Sequence, residues 1–489
     1  MPVDSKHPEY IKREKQWKRS RDVIAGSDAV KDKGVEYLPQ LNGQKTAAYD
    51  AYRQRALFFA ATSRSVKGFV GALFRKPPAL VYPESIEPKL TYFSVDGLNV
   101  DEFAMNLSAE VFGPGRSGLL VDADKDGANK YVTKYQAEDV VNWETLRIDG
   151  VDQAILVVLR ESYSDVVDEF SSETKTQYRV LRLGRENANA ENATYFQDVY
   201  RQTKSSSGSN EWAIVPDMHV VPSVAGVSFS YIPFVFVNST NLLTTTTEPP
   251  LLEMVDVNLS HYRTSADLEH GAHYTALPTA WVAGFDEKTV LKIGSATAWI
   301  TKNVNAKAGF LEFTGQGLDS LRNLKKDKEA NMASIGARML EAPKAAAEST
   351  ESNRMRLSGE NATLITISKT VSNAMTRVLR YIAQWEGIQE TELKDISYTL
   401  NTDFVSTRMS PQELKEITAA FMGGNMSQDT YLYNLQQGEI IPPDVDLEEE
   451  KERIEMEAES MDEPDHVIPV EKNFNFKKDE DGNVSGTIA

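Results

Sequence analysis

The chain has 489 residues, 41% of them hydrophobic, with six histidines and no cysteine. That is room for roughly two to four domains around a sizeable core. It excludes disulfides and thiolate metal sites and suits a reducing compartment. The net charge of −19 at pH 7 excludes an overall Lys/Arg surplus of the kind that grips nucleic acid through its phosphates. The charge is uneven. Residues 1–80 hold 16 Lys/Arg against 8 Asp/Glu, and residues 441–489 hold 5 against 16. The first 25 residues are charged and lack the apolar stretch of a signal peptide. Apolar runs such as Ile155–Leu159 are far too short to span a bilayer, so a soluble chain with no membrane partner is expected.

Residues 8–25 read as a basic helix carrying Lys12, Arg13, Lys15, Lys18, Arg19 and Arg21, with Trp17 and Ile11 as a thin apolar side. A solvated face is the plain expectation, and a basic arm for a partner is the other. Residues 45–74 predict one amphipathic helix, with Tyr49, Tyr52, Ala56, Phe59, Ser63, Val66, Val70 and Phe74 at spacings of three and four, ended by Pro77 and Pro78. A further helix covers Val100–Phe112. "GPGRSG" (Gly113–Gly118) fits G-x-G-x-x-G, but the helix precedes it and the strand Gly118–Asp122 follows. A dinucleotide site needs the reverse order, so the motif reads as a helix stop and turn.

Residues 118–238 predict an antiparallel sheet. Leu146–Gly150 and Val151–Tyr163 form a hairpin across a D-G turn, Thr176–Gly184 and Ala193–Thr203 continue it, and "KSSSGSN" (Lys204–Asn210) is a flexible tip. After Pro249 and Pro250, residues 251, 254, 255, 259, 262, 266 and 270 keep helical spacing to about Tyr274. A β-rich insert follows over Ala276–Thr314, with strands in "TAWVAGF", "TAWITKN" and "GFLEFTG". Residues 317–341 predict a second long helix, with Leu318, Leu321, Leu324, Met332, Ile335 and Met339 as its stripe, about 35 Å long.

The segment Ala342, Pro343, Lys344, Ala345, Ala346, Ala347, Glu348, Ser349 and Thr350 has almost nothing to pack. By itself it fits an ordinary interhelical turn with one solvated lysine. A third long helix follows, with Leu364, Ile367, Val371, Ala374, Val378, Ile382 and Trp385 on its apolar face and Gly387 at its end. Gly359 marks either a kink or a later start near Ser358. Ile396–Phe404 alternates as a strand expected to rejoin the earlier sheet. "SPQE" (Ser410–Glu413) is a capping box opening the first of three C-terminal helices. After about Met461 a polar tail is expected.

Chemical motifs are scarce. The histidines are His7, His219, His261, His270, His273 and His466. His270 and His273 could share a helix face, and that spacing can start a zinc site, but there is no H-E-x-x-H and Gly271 weakens the helix between them. G-x-S-x-G and the phosphate-loop motif are absent. Carboxylates are abundant, yet no pair stands out as a hydrolase dyad. No enzyme activity, cofactor or metal is expected.

The order of elements is itself distinctive: mixed helix and sheet, long helix, small β module, long helix, small-residue loop, long helix, strand, helical C-terminus. With "HPEYIKREKQWKRSRDVIAG" (His7–Gly26), "YIPFVFV" (Tyr231–Val237), "PPLLEMVDVNLSHYRTSADLEHGAHY" (Pro249–Tyr274), "GFLEFTGQGLDSLR" (Gly309–Arg322) and "IGARMLE" (Ile335–Glu341), the chain resembles the portal proteins of tailed bacteriophages. It is similar above all to a subgroup described only as a domain of unknown function. The resemblance implies an α+β, portal-like architecture: an α/β wing over 1–248, a two-helix stem (249–275 and 316–341), a small β-rich clip (276–315), a tunnel loop (342–350), a long helix and return strand (351–408), a helical crown (409–461) and an acidic tail (462–489). It implies a dodecameric ring at one capsid vertex, assembled in the host cytoplasm, through which double-stranded DNA passes without sequence specificity. The implied partners are the terminase large subunit, the major capsid and scaffolding proteins, and the head-to-tail adaptor. Trp281, Trp299, Phe310 and Phe313 would be clip docking residues, and Lys344 would place one positive charge per subunit at the channel constriction. The alternatives are another virion ring or adaptor protein, or a carboxylate-dependent hydrolase.

Overall fold

Tyr10, Trp17, Ser20 and Val23 are buried along one side of the first helix, α1 (Pro8–Ala25), whereas Ile11 is 61% exposed. Lys12, Lys15 and Lys18 are exposed, as a solvated face would be, whereas the arginines are tied to the body. Arg13 reaches Glu248 at 3.2 Å, Arg19 reaches Asp256 at 3.2 Å, and Arg21 bridges Glu110 and Glu138. The thin apolar side is therefore deeper than its sequence suggests, because aromatic bulk at positions 10 and 17 sits on the same side as small residues. The computed structural model describes the whole chain except 1, 125–126, 128, 149, 185–192, 205–208, 276–278, 286–298, 312–315, 337–349, 403, 405–408, 410, 439, 443–444, 462–473, 479–483 and 489. It divides into two compact units, Met1–Phe404 and Val405–Ala489.

After α2 (Ser27–Asp32), the helix expected over 45–74 is instead two, α3 (Thr46–Arg55) and α4 (Ala61–Leu73). A side chain from a distant helix causes the break. The Asn258 Oδ1 accepts from the Thr62 amide (3.2 Å) and hydroxyl (2.9 Å), and its Nδ2 donates to the Phe59 carbonyl (2.7 Å). Asn258 thus caps α4, which has no side-chain cap of its own. Next come β1 (Ala79–Val81), α5 (Glu87–Thr91) and α6 (Val100–Phe112), the last opened by a capping box between Asn99 and Glu102.

The sheets follow in chain order: β2 (Arg116–Ala123), β3 (Lys130–Gln136), β4 (Val140–Ile148), β5 (Val151–Val166), β6 (Ser172–Gly184), β7 (Thr194–Lys204), β8 (Asn210–Ile214), the short pair β9 (Ser223–Val224) and β10 (Val227–Ser228), and β11 (Phe234–Asn238). One sheet has the order β11-β2-β3, the other is the meander β4-β5-β6-β7-β8, and every ladder between named strands is antiparallel. Gly118 faces Phe234 so closely that an added Cβ would meet its ring at 2.3 Å. That packing is the physical reason for the last glycine of "GPGRSG". The tip residues 205–208 lie outside the described residues.

A helical hairpin then leaves the sheets: α7 (Leu252–Thr275), β12 (Thr279–Ala283), β13 (Lys307–Leu311) and α8 (Gln316–Gly336). Residues 299–303, expected as a strand, are described and are not in one. α9 (Thr350–Trp385) runs unbroken for 36 residues, through Gly359, so the glycine does not delay its start. All seven predicted apolar positions from Leu364 to Trp385 are buried, and Gly387 takes the left-handed cap at φ 79.

α10 (Glu390–Leu393) leads to β14 (Ser397–Thr399), which pairs antiparallel with β1 rather than rejoining the large sheet. The strand is short because α9 takes its backbone groups. Thr376 Oγ1 bonds the Tyr398 amide (2.9 Å), Ser372 Oγ accepts from the Leu400 amide (2.9 Å), and Ser368 Oγ donates to the Asn401 carbonyl (2.9 Å). The core joins α1, α4, α6, α9 and both sheets through residues such as Trp17, Phe69, Phe103, Leu119, Leu181, Phe236 and Val378. With 47% helix and 25% strand and antiparallel ladders, the class is α+β.

The second unit holds α11 (Pro411–Met422), α12 (Gln428–Gln437) and α13 (Leu447–Met461). Phe421 stacks on Tyr431 at 4.3 Å, and Leu432 and Leu435 are buried. Ser410 of the predicted capping box is outside the described residues, whereas Ser427 caps α12 by accepting from Thr430 N–H. The expected tail contains a hairpin, β15 (Phe474–Lys478) paired with β16 (Val484–Ile488).

Candidate functional site

The α7–α8 hairpin is the part of the chain that the sequence marks most strongly. Its partners run in opposite directions along the two helices: Met254 with Gly336, His261 with Glu329, Thr264 with Lys328, and Gly271 with Leu318. At 1.5 Å per residue, 24-residue α7 extends about 36 Å. Close approach explains both glycines. A Cβ at Gly271 would meet Leu318 Cδ2 at 2.7 Å, and one at Gly336 would meet Met254 Cε at 2.8 Å and Ser65 Oγ at 2.6 Å. The base of the hairpin is held by α4 and by buried Leu251, Met254, Val255, Leu259, Tyr262 and Ala266.

Polar groups fix the register. His261 is 1% exposed, with Nε2 3.0 Å from Glu329 Oε1. Burial pushes the imidazole below its ordinary 6.5, and the Glu329 carboxylate opposes this only in part. Lys328 Nζ donates to Thr264 Oγ1 (2.6 Å) and the Ser260 carbonyl (3.2 Å). Further out, Tyr52 donates to Asp267 at 2.6 Å and Arg55 Nη2 lies 3.3 Å from His270 Nδ1. His270 is thus turned to Tyr52 and Arg55. Among the described residues no group of three or more His, Asp or Glu is placed to hold an ion, and no helix is long and apolar enough to cross a membrane.

At the far end, β12 and β13 pair with Trp281 opposite Gly309 and Ala280 opposite Phe310. Trp281 and Phe310 are 43% and 56% exposed, and Ile300 and Val304 are more so. Trp299 is half-buried, and Phe313 lies outside the described residues. The tip of the hairpin therefore shows apolar surface to solvent. On α8, Met332 is buried but Leu324 is 45% exposed, so the predicted stripe is only partly covered within one chain, and Met339 lies outside the described residues. Ala342, Pro343, Lys344, Ala345, Ala346, Ala347, Glu348 and Ser349 also lie outside them, and Thr350 is the first residue of α9.

Comparison with known proteins adds the following. The profile of a family described as "Domain of unknown function (DUF4055)" matches residues 250–386, from the start of α7 to the end of α9. No curated protein matches. Among solved structures, similar chains occur in virus-like particles named for a gene transfer agent (GTA). A chain in "Neck of empty GTA particle computed with C6 symmetry" has a TM-score of 0.37 and 13% identity over 83% of this chain and 97% of that one. One in "Virion of native gene transfer agent (GTA) particle" has 0.37 and 12% over the same shares. One in "Neck of native GTA particle computed with C12 symmetry" has 0.34 and 13% over 77% and 89%.

Two features escaped the sequence reading. The first is Arg116, in the turn motif. It is fully buried between Trp143 (4.7 Å) and Phe236 (5.1 Å) and donates to Asn238 Oδ1 (2.8 Å) and to the carbonyls of Thr244 (3.0 Å) and Thr245 (3.3 Å). Burial pushes its pKa down to about 9. The arginine thereby ties the linker before α7 to the sheet. The second is a buried polar network between the sheets. Arg179 bonds Glu161 (2.7 Å) and Gln197 (2.8 Å) and lies 3.5 Å from Asp122, while Tyr135 and Gln177 donate to Glu161. Burial pushes the Glu161 carboxyl up, but Arg179 and the donors more than offset it and hold it below the usual value. At Asp122 burial outweighs the same arginine and holds the carboxyl above its usual value. Spacing in sequence gave no sign of either feature, because the partners lie on separate strands.

Proposed function

We propose that the chain is one subunit of a portal-type ring, a closed assembly at one capsid vertex whose channel passes double-stranded DNA during packaging and ejection. What supports this reading above all is the antiparallel α7–α8 hairpin with β12–β13 at its far end, followed after one small-residue linker by the 36-residue α9. That is the element order carried by the sequence resemblance, and it is an economical way to build a channel wall. Two helices form a stem, their outer end carries a compact docking module, and the segment 342–350 has no aromatic or large aliphatic side chain.

In this reading the stem is α7 and α8, the clip is the β12–β13 module and the tunnel loop is 342–350. The exposed Trp281, Ile300, Val304 and Phe310 suit a face that meets the terminase large subunit during packaging and the head-to-tail adaptor afterwards. The subunit does no chemistry. It encloses DNA, retains it and lets it slide, and an acidic chain with one lysine per subunit at the constriction avoids a strong phosphate grip. Scaffolding and major capsid proteins would contact the outer body, and assembly would take place in the host cytoplasm.

The test is the mass and shape of the purified full chain, by light scattering and negative-stain microscopy. A ring of about twelve subunits with a central hole is the expected result. A compact dimer or tetramer without a hole would refute it.

A further inference from the structure

The meander sheet has an arm that it does not use. β4 pairs with β5 only over Val151–Leu159, and the β6–β7 ladder stops at Gln177. Beyond these points β5 and β6 pair with each other alone, from Ser162 opposite Thr176 to Val166 opposite Ser172. The cation–π contact of Arg201 on Tyr163 (4.0 Å) anchors the base. The outer pairs project about 17 Å. A free two-stranded ribbon is marginal in water, yet this one carries a well-built apolar tip. Val166, Val167 and Phe170 are 74%, 61% and 92% exposed. The turn is organised by Asp168, which accepts from the Phe170 amide (2.8 Å) and the Ser171 hydroxyl (2.6 Å), while the Val167 amide donates to the Ser171 carbonyl (3.0 Å). Phe170 is held outward rather than left loose, which lowers the ordering cost of docking. Around it stand Asp165, Asp168, Glu169 and Glu173, against the single cation Lys175, bound to Asp165 and Glu173.

At the opposite end of β5 lies a cleft of about 810 Å³, lined by Val151–Ala154, β11 and the C-terminal half of α9. Its floor is apolar, with Ile232, Phe234 and Leu393 beside Tyr381. Its rim is cationic. Arg380 donates to the neutral carbonyls of Lys394 and Ile396. Arg377 and Lys394 also line the cleft, and both are exposed. Of the rim acids, Asp152 is held by Arg147 at 3.0 Å, which leaves Glu390.

We propose that the acidic, apolar tip of the β5–β6 arm docks in this cationic cleft of a second copy of the same chain. The tip and the cleft complement each other in charge and in apolar content. They cannot meet within one chain. From Ala154 at the cleft to Val166 at the tip is twelve residues of one continuous strand, about 40 Å. A contact between two different patches is head-to-tail, and repeated with the right rotation it closes a ring. The inference rests on the ring reading for that closure, and it names the surfaces that would make it.

The natural chain has no cysteine, so paired cysteines report the contact without background. Glu169→Cys leaves Phe170 in place, and Asn373→Cys is exposed in the cleft wall. In the full chain, a short bismaleimide should link E169C/N373C into covalent multimers beyond the dimer on a denaturing gel, with either single variant giving none. Independently, Arg377→Glu should weaken association about tenfold without moving the thermal midpoint, and adding Glu169→Lys should restore it. Rings seen by negative stain that neither cross-link nor respond to Arg377→Glu overturn the arm contact and leave the ring reading standing. Chains that cross-link only as a compact dimer uphold the contact and overturn the ring. A chain that stays monomeric and uncrosslinked at high concentration overturns both.

Discussion

Replacing Asn258 with alanine tests the joint where the helical hairpin meets the body. Asn258 is fully buried and makes three hydrogen bonds, two to Thr62 and one to the Phe59 carbonyl. The Phe59 carbonyl keeps a second donor, the Ala61 amide at 2.8 Å, so its loss is an ordinary one of about 0.5–1.5 kcal/mol. Thr62 fares worse. Its amide sits in the first turn of α4 and its residue is 0% exposed, so losing the cap costs about 1–2 kcal/mol and leaves a buried donor unmet. Together Asn258→Ala should lose about 2–4 kcal/mol. Thr62→Val removes only the hydroxyl bond and should lose about 1 kcal/mol. Denaturant titration followed by circular dichroism gives the order of the two variants, and amide hydrogen exchange over residues 56–66 locates the effect, since a chain of two units need not unfold in one step. Asn258→Ala within about 0.5 kcal/mol of the parent, or unchanged exchange at Thr62, would refute the claim that Asn258 divides α3 from α4.

Acidification gives a second test. Burial lowers the pKa of His261, His270 and His7 below 6.5, so the unfolded chain binds more protons than the folded one as pH falls through that value. Stability should be full above about pH 6.5 and should decline below it, and His261→Asn should flatten part of the slope in a pH series of thermal midpoints. Arg116→Ala should lose about 2–4 kcal/mol through lost packing and hydrogen bonds and speed proteolysis within residues 239–247, because the Thr244 carbonyl loses its donor and the Thr245 carbonyl keeps only Asn238 Nδ2. Arg21→Ala should destabilise more than Arg21→Ala in a Glu110→Gln/Glu138→Gln background, since the single change strands two nearly buried carboxylates; a double-mutant cycle in denaturant measures the difference. Lys344→Glu should leave ring assembly intact and change DNA retention in packaging assays; failed assembly would make the segment structural.

The legible parts of the fold were those whose signal is local. The helix over Val100–Phe112, the hairpin across Gly150 and the buried face of α9 from Leu364 to Trp385 each follow from caps, turns or spacing within one segment. What the sequence hid depends on partners far along the chain. The periodicity of residues 45–74 is genuine, yet Asn258, some 200 residues away, offers the backbone a better arrangement at Phe59 and Thr62. Ile396–Phe404 alternates like a strand, but the hydroxyls of Ser368, Ser372 and Thr376 claim its backbone groups. Arg116 looked like part of a turn because a buried arginine with carbonyl partners has no sequence signature. Gly271 read as a weakness in α7, and its cause is the approach of Leu318 from α8.

Charge links the fold to the proposed function in a way that composition alone obscures. The first 80 residues have a surplus of eight positive charges, which could look like a handhold for DNA. Much of that surplus is engaged within the chain. Arg13, Arg19 and Arg21 tie α1 to Glu248, Asp256, Glu110 and Glu138, four acids outside that stretch. Each pair that is satisfied internally removes a cation that could condense on a phosphate backbone, and with it a share of the salt-dependent affinity that counterion release provides. A sleeve that must let DNA slide in both directions benefits from that removal. A protein that holds DNA would instead present the same side chains unpaired along one face. The N-terminal helix is basic because it has acidic neighbours to meet, and its arginines act as struts between α1, α6 and the start of α7.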